Sequence, residues 1–152
     1  MRILLIIGTL LLFLMAVSSA QDPWPVNSHP WEYGNVCWKD EQAPLNHFSE
    51  ILKKDPDLVG YIVVYAGRIS CSGEAKYRAE RAKKWVVKQG VNADRVLAVD
   101  GGYTIEVETV LHLQNKKDPA YEPYSILNKE AVSISRRRCV DKVFELKLCP
   151  NR

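Results

Sequence analysis

Residues Val59 to Ala66 read Val-Gly-Tyr-Ile-Val-Val-Tyr-Ala, a nearly unbroken apolar run of β-forming side chains. A strand with one wet face alternates apolar and polar positions. This one does not, so it has to be covered on both faces. The chain around it must supply that cover, and it does so in a regular order. From Pro44 to Lys54, Leu45, Phe48, Ile51 and Leu52 recur at helical spacing, with Pro44 suited to a first turn and Asp55-Pro56 as a stop. After the run, Gly67 to Gly73 reads as a loop, and a second helix is expected over Gly73 to Gln89 with Ser72 as its cap. Ala75, Ala79, Ala82, Trp85 and Val86 form its buried stripe. Glu74–Arg78 and Glu80–Lys84 are i,i+4 pairs assigned to its wet side, and Gly90 ends it.

A third strand is expected over Arg95 to Val99, then a hairpin turn at Asp100-Gly101-Gly102. The alternation that follows sets Tyr103, Ile105, Val107, Leu111 and Leu113 against Thr104, Glu106, Glu108 and His112, the pattern of a half-buried fourth strand. A short first strand is assigned to Glu32–Trp38. The order is β-α-β-α-β-β: an α+β, two-layer sandwich of a mixed sheet with two helices on one face. The tail differs. Residues 116–129, with Pro119 and Pro123, read as a loop, and residues 130–149 hold one or two extra strands around the basic run Arg136-Arg137-Arg138. Should Cys139 to Cys149 form one extended strand, its ends would lie roughly 33 Å apart, too far for a disulfide between them.

The N-terminus points to export. Arg2 precedes an apolar run from Ile3 to Val17 that closes on Ser18-Ser19-Ala20, the small-residue pattern of signal-peptide cleavage. The run is shorter than the about 20 apolar residues a spanning helix needs, so cleavage after Ala20 leaves no transmembrane segment. The organisation is then a signal peptide over 1–20, an irregular Pro- and Trp-rich lead-in over 21–36, a folded domain over 37–114 and a basic C-terminal extension over 115–152. A formal charge of +3 is mild and makes no case for nucleic acid.

Cys37, Cys71, Cys139 and Cys149 are even in number in an exported chain, which favours disulfides. Four cysteines allow three connectivities. With the first two strands parallel, Cys37 and Cys71 emerge at one end of the sheet, which favours a bridge between them. No C-x-x-C spacing occurs and His29, His47 and His112 are scattered, so neither metal nor cofactor is expected.

Several stretches carry a family likeness: the helix before Asp55-Pro56-Asp57, the strand at Tyr61–Tyr65, Arg78-Ala79-Glu80-Arg81-Ala82-Lys83-Lys84-Trp85-Val86, Gly90-Val91 and Arg95-Val96-Leu97. Together, over about Cys37 to Leu113, they resemble the OmpA-like, peptidoglycan-associated domain family. Its helix pattern is Asn-x-x-Leu-Ser-x-x-Arg-Ala, and Arg81-Ala82 fits the Arg-Ala pair. Tyr33-Gly34-Asn35, Val63–Arg68 and Asp100–Tyr103 resemble an uncharacterised subgroup of exported bacterial proteins more closely.

The resemblance implies an OmpA-like fold and, as partner, peptidoglycan or another envelope component. Wall-binding members of the family hold the ammonium and carboxylate of diaminopimelate between a loop aspartate and the helix arginine, a fixed anion and a forked cation. Arg81 carries over as the cation. The aspartate does not, since the loop reads Ala66-Gly67-Arg68-Ile69-Ser70, and Glu74 occupies the asparagine place. The implied ligand-binding set is Arg81 with Glu74 and Arg68, in a non-catalytic module in the periplasm, in the outer envelope or secreted. The alternative is a structural or protein-interaction module that has lost wall binding. Trp31 and Trp38 are assigned to core or lead-in packing rather than sugar stacking. Ser70, Cys71 and Ser72 precede a helix, where a nucleophile is activated, yet no Gly-x-Ser-x-Gly elbow accompanies them.

Overall fold

The computed structural model describes residues 31–138. The assigned signal peptide and most of the lead-in lie outside the described residues, as do Cys139 and Cys149. The elements are β1 (Trp31–Tyr33), α1 (Trp38–Lys54), β2 (Leu58–Ala66), β3 (Ile69–Ser72), α2 (Glu74–Lys88), β4 (Val96–Tyr103), β5 (Glu108–Asn115) and β6 (Ser133–Arg138), with 3-10 turns at Ala93–Arg95 and Lys129–Ala131. The fold is α+β, with two helices and a mixed sheet. The main sheet has the order β1-β5-β2-β4, and β3 pairs with β6 in a second, two-stranded one. β2 runs parallel to β4 and antiparallel to β5, while β1 is antiparallel to β5.

β2 is the covered strand its composition demands. Ile62, Val64 and Ala66 face the helices, against Leu45, Phe48 and Leu52 of α1 and Ala75, Ala79, Ala82 and Val86 of α2. Tyr61, Val63 and Tyr65 face the other way, with Val110 beside them and Tyr121 packed against the cluster. Gly60 makes the helix face possible: a Cβ there would come within 2.5 Å of Phe48 Cζ.

Several expectations are corrected. α1 begins six residues before Pro44, at Trp38, so of the strand assigned to Glu32–Trp38 only Glu32 and Tyr33 are extended in β1, which starts at Trp31. Cys37 is extended, its carbonyl accepts the N–H groups of Asp40 and Glu41, and those two acids sit in the first turn, where the helix dipole favours them. Pro44 stands inside the helix, and the buried stripe of Glu41, Leu45, Phe48 and Leu52 runs on across it. The expected loop at 67–73 contains β3, which pairs in parallel with β6, one of the extra strands expected in the tail. The residue before α2 is Gly73, at φ 76°, with no side-chain cap from Ser72.

The hairpin at Asp100-Gly101-Gly102 is not formed. β4 and β5 are separated by β2, and both glycines stay within β4. A Cβ on Gly101 would lie 2.6 Å from the Tyr65 ring. Gly102 has φ 87°, where β4 spends an extra residue opposite Val64–Ala66. The reversal comes at Thr104–Val107 instead, with Thr104 N–H on the carbonyl of Ala66 and the Thr104 hydroxyl on that of Glu106. The alternating stretch is therefore not one half-wet strand. Ile105 is exposed in the turn, while Thr109, Val110 and Leu111 are all buried in β5. The loop expected at 116–129 contributes cover here: Tyr121 packs on Tyr61 and His112, and Tyr124 on Tyr65.

Candidate functional site: a buried ion-pair network between the helices

The N-terminal turns of α1 and α2 share a set of charges. Arg78 is 2% exposed and Glu74 4%. Arg78 Nε donates to Glu74 Oε1 at 3.1 Å, Nη1 to Glu41 Oε1 at 3.4 Å and Nη2 to Asn35 Oδ1 at 2.7 Å. Glu41 is in turn held from the other side, its Oε2 2.9 Å from Arg81 Nη2. The two carboxylates thus face two guanidiniums, which is the condition for burying any of them.

Each group is placed by its element. Glu41 lies one turn before Leu45 on the buried stripe of α1. Arg78 falls between Ala75, Ala79 and Ala82, so the spacing that buries the alanines buries it too. The pair Glu74–Arg78, assigned to the wet side of α2, is on the packed side, whereas Glu80 and Lys84 stay exposed. Burial pushes the Glu41 carboxyl up from its ordinary value, with Arg81 and Arg78 pulling it back down. Glu74 is likewise raised by burial, against Arg78.

Arg81 lies in this network and does not project freely from the helix. Its guanidinium sits 4.3 Å from the Trp38 ring centroid, Tyr77 flanks it at 6.0 Å, and its side chain is 14% exposed. Trp38 makes an edge contact with Trp85, so it packs between the helices as expected of a core aromatic. Arg81 Nε is buried with no hydrogen-bond partner. Of the three residues implied as ligand-binding, Arg81 and Glu74 are brought into one network through Arg78 and Glu41. Arg68 is not: it is exposed in the β2–β3 turn and fixed by its backbone, with N–H to Ile105 and carbonyl from Ser133.

Cys37 and Cys71 are both disulfide-bonded and border the network. Cys37 caps α1, and Cys71 N–H donates to Glu74 Oε2 at 3.3 Å. Ser70 is buried and its hydroxyl has no partner, so no base is hydrogen-bonded to it. Among the described residues, no cluster of three or more His, Cys, Asp or Glu is arranged to hold a metal.

Asn35, Glu41 and Arg78 were not legible as site residues. The available signal was a charge on an apolar stripe: Glu41 four before Leu45, and Arg78 three after Ala75 and four before Ala82. Arg78 also stands at the serine place of the helix pattern quoted above. No protein-family model, curated protein or solved structure matches the chain.

Proposed function

We propose that the chain is an exported, non-catalytic envelope protein, a structural or protein-interaction module on an OmpA-like fold whose ligand clamp has been turned inward. The carrying observation is the Arg81–Glu41 ion pair at 2.9 Å beneath Trp38. A ligand carboxylate would have to displace Glu41 from Arg81 and leave that buried carboxylate with Arg78 alone. Weakening the pairing of a buried charge costs free energy, and one partly exposed ligand contact returns only about 0–1 kcal/mol. The oxidised state of Cys37 and Cys71 supports the export reading, since disulfides persist outside the reducing cytosol.

Peptidoglycan binding through Arg81 is the competing reading, and the unpartnered Arg81 Nε favours it. Co-sedimentation with insoluble peptidoglycan at low and moderate salt separates the two. The expected result is retention that fades with salt, equally in the unaltered chain, Arg81→Ala and Arg81→Lys. Salt-resistant retention, lost in both variants while circular dichroism is unchanged, would overturn the proposal and restore a wall anchor.

A further inference from the structure

An open cleft of about 440 Å³ lies at the end of the sheet where β1 leaves β5 and the Thr104–Val107 turn flares away. Its charge is all of one sign. Glu32, Glu106 and Glu108 line it, and no Lys or Arg does among the described residues. Its rim is apolar and exposed: Ile105 is 61% and Ile126 60% accessible. Glu108 is partly buried, and burial, then the charge of Glu32, raises its carboxyl above the ordinary value. Glu32 and Glu108 repel one another where a cation would relieve them. The cleft also borders an open backbone edge, because β5 is the only neighbour of β1 among the described residues. An extended chain laid there could use main-chain hydrogen bonds as well as side-chain contacts.

We infer that this cleft binds an extended basic peptide segment of a partner protein, with a Lys or Arg among the three glutamates and flanking aliphatic side chains on Ile105 and Ile126. The volume suits one or two side chains rather than a folded surface. Charge complementarity selects the occupant, and the exposed isoleucines on the rim offer it an apolar contact. The chain's own basic run is carried the other way. β6 starts at Ser133, hydrogen-bonded to Arg68 near Ile105, and ends at Arg138 opposite Ser72, about 17 Å further on.

The inference rests on reading the chain as an interaction module and names the chemistry of its partner. The test is fluorescence anisotropy of a labelled synthetic peptide, Ile-Lys-Ile-Arg-Ile, titrated with the full chain in its secreted, oxidised form. Saturable, salt-sensitive binding is expected. It should weaken about tenfold in the double variant Glu106→Gln, Glu108→Gln, weaken also in the surface variant Ile126→Ser, and vanish for a peptide with Glu in place of Lys and Arg. Circular dichroism melts confirm that the variants fold. Absence of saturation, or equal affinity in the double variant, would sink the inference. Binding that strengthens when Lys142, Lys147 and Arg152 become Gln would give the cleft to the chain's own tail. A concentration-dependent mass increase abolished by the double variant would give it to a second copy. Either result would overturn the partner peptide. A failed titration beside salt-sensitive peptidoglycan sedimentation removes the cleft alone, whereas salt-resistant, Arg81-dependent sedimentation removes the interaction reading itself.

Discussion

Arg78 on α2 bridges to Glu41 on α1, Nη1 to Oε1 at 3.4 Å, with both side chains almost wholly buried. The contact joins two helices across a sequence separation of 37 positions, and it does so with a group that also holds Glu74 and Asn35. Replacing Arg78 with Met keeps the stem of the side chain and removes all three bonds. Glu41 would retain Arg81, but Glu74 would be buried with no cation. The expected loss is about 3–5 kcal/mol of unfolding free energy, read as a lower urea midpoint with an unchanged slope. A loss below about 1 kcal/mol would place the pair in the class of solvated surface bridges and contradict the burial.

Gly60 is the point where α1 comes down on β2. Phe48 Cζ and Leu52 Cδ1 would lie 2.5 and 2.8 Å from an added Cβ, and neither ring nor branch has free space to retreat into, since both residues are fully buried. Gly60→Ala is therefore expected to destabilise the chain by about 1–3 kcal/mol, even though alanine is the better strand former. Thermal denaturation decides this, and an unchanged or raised midpoint would mean that α1 can lift off the sheet at little cost.

His112 on β5 packs 4.5 Å from the Tyr121 ring and 6.2 Å from Tyr61. Burial lowers its pKa below the usual imidazole value. Below about pH 6.5 the unfolded chain takes up the proton more readily than the folded one. The group's contribution to stability is thus complete above that pH and is lost as pH falls through the folded value. Buried Glu41 and Glu74 act in the opposite sense, so the comparison must be with a variant. The stability difference between the unaltered chain and His112→Leu should shift towards the variant between about pH 7 and about pH 5. A difference that does not change with pH would rule out the shift.

The elements legible in the sequence were those whose burial is written in apolar residues. β2 announced itself through Val59–Ala66, the stripe of α2 through its alanines and Val86, and its end through Gly90, which has φ 96°. What was hidden was burial written in charge. The first turn of α1 contributes Glu41 to its packed face, so no apolar periodicity marks it, and Pro44 then suggests a start that is too late. Arg78 paired at i,i+4 with Glu74 looks like a solvated couple until a second helix covers it. The two glycines of β4 fit a hairpin on local grounds. Only the path of β5, which inserts between β1 and β2, shows that Gly101 makes room for Tyr65. β3 is four residues long and gains its partner from β6, more than 60 positions later, beyond the reach of any local pattern.

The disulfide bonding of Cys37 and Cys71 should be energetically coupled to this network. Cys37 fixes the carbonyl on which the Asp40 and Glu41 amides close the first turn of α1, and Cys71 donates its amide to Glu74. Reduction with a phosphine is expected to lower the unfolding free energy by about 2–5 kcal/mol through the freed unfolded chain. It should also loosen the two backbone segments that position Glu41 and Glu74. Arg78→Met loosens the same unit from within, so the two perturbations should not add. Their combined effect should fall short of the sum by about 0.5–3 kcal/mol. The check is a four-way comparison of urea denaturation, oxidised and reduced, with and without the substitution. Strict additivity would mean that disulfide bonding stabilises the chain globally and leaves the charge network untouched.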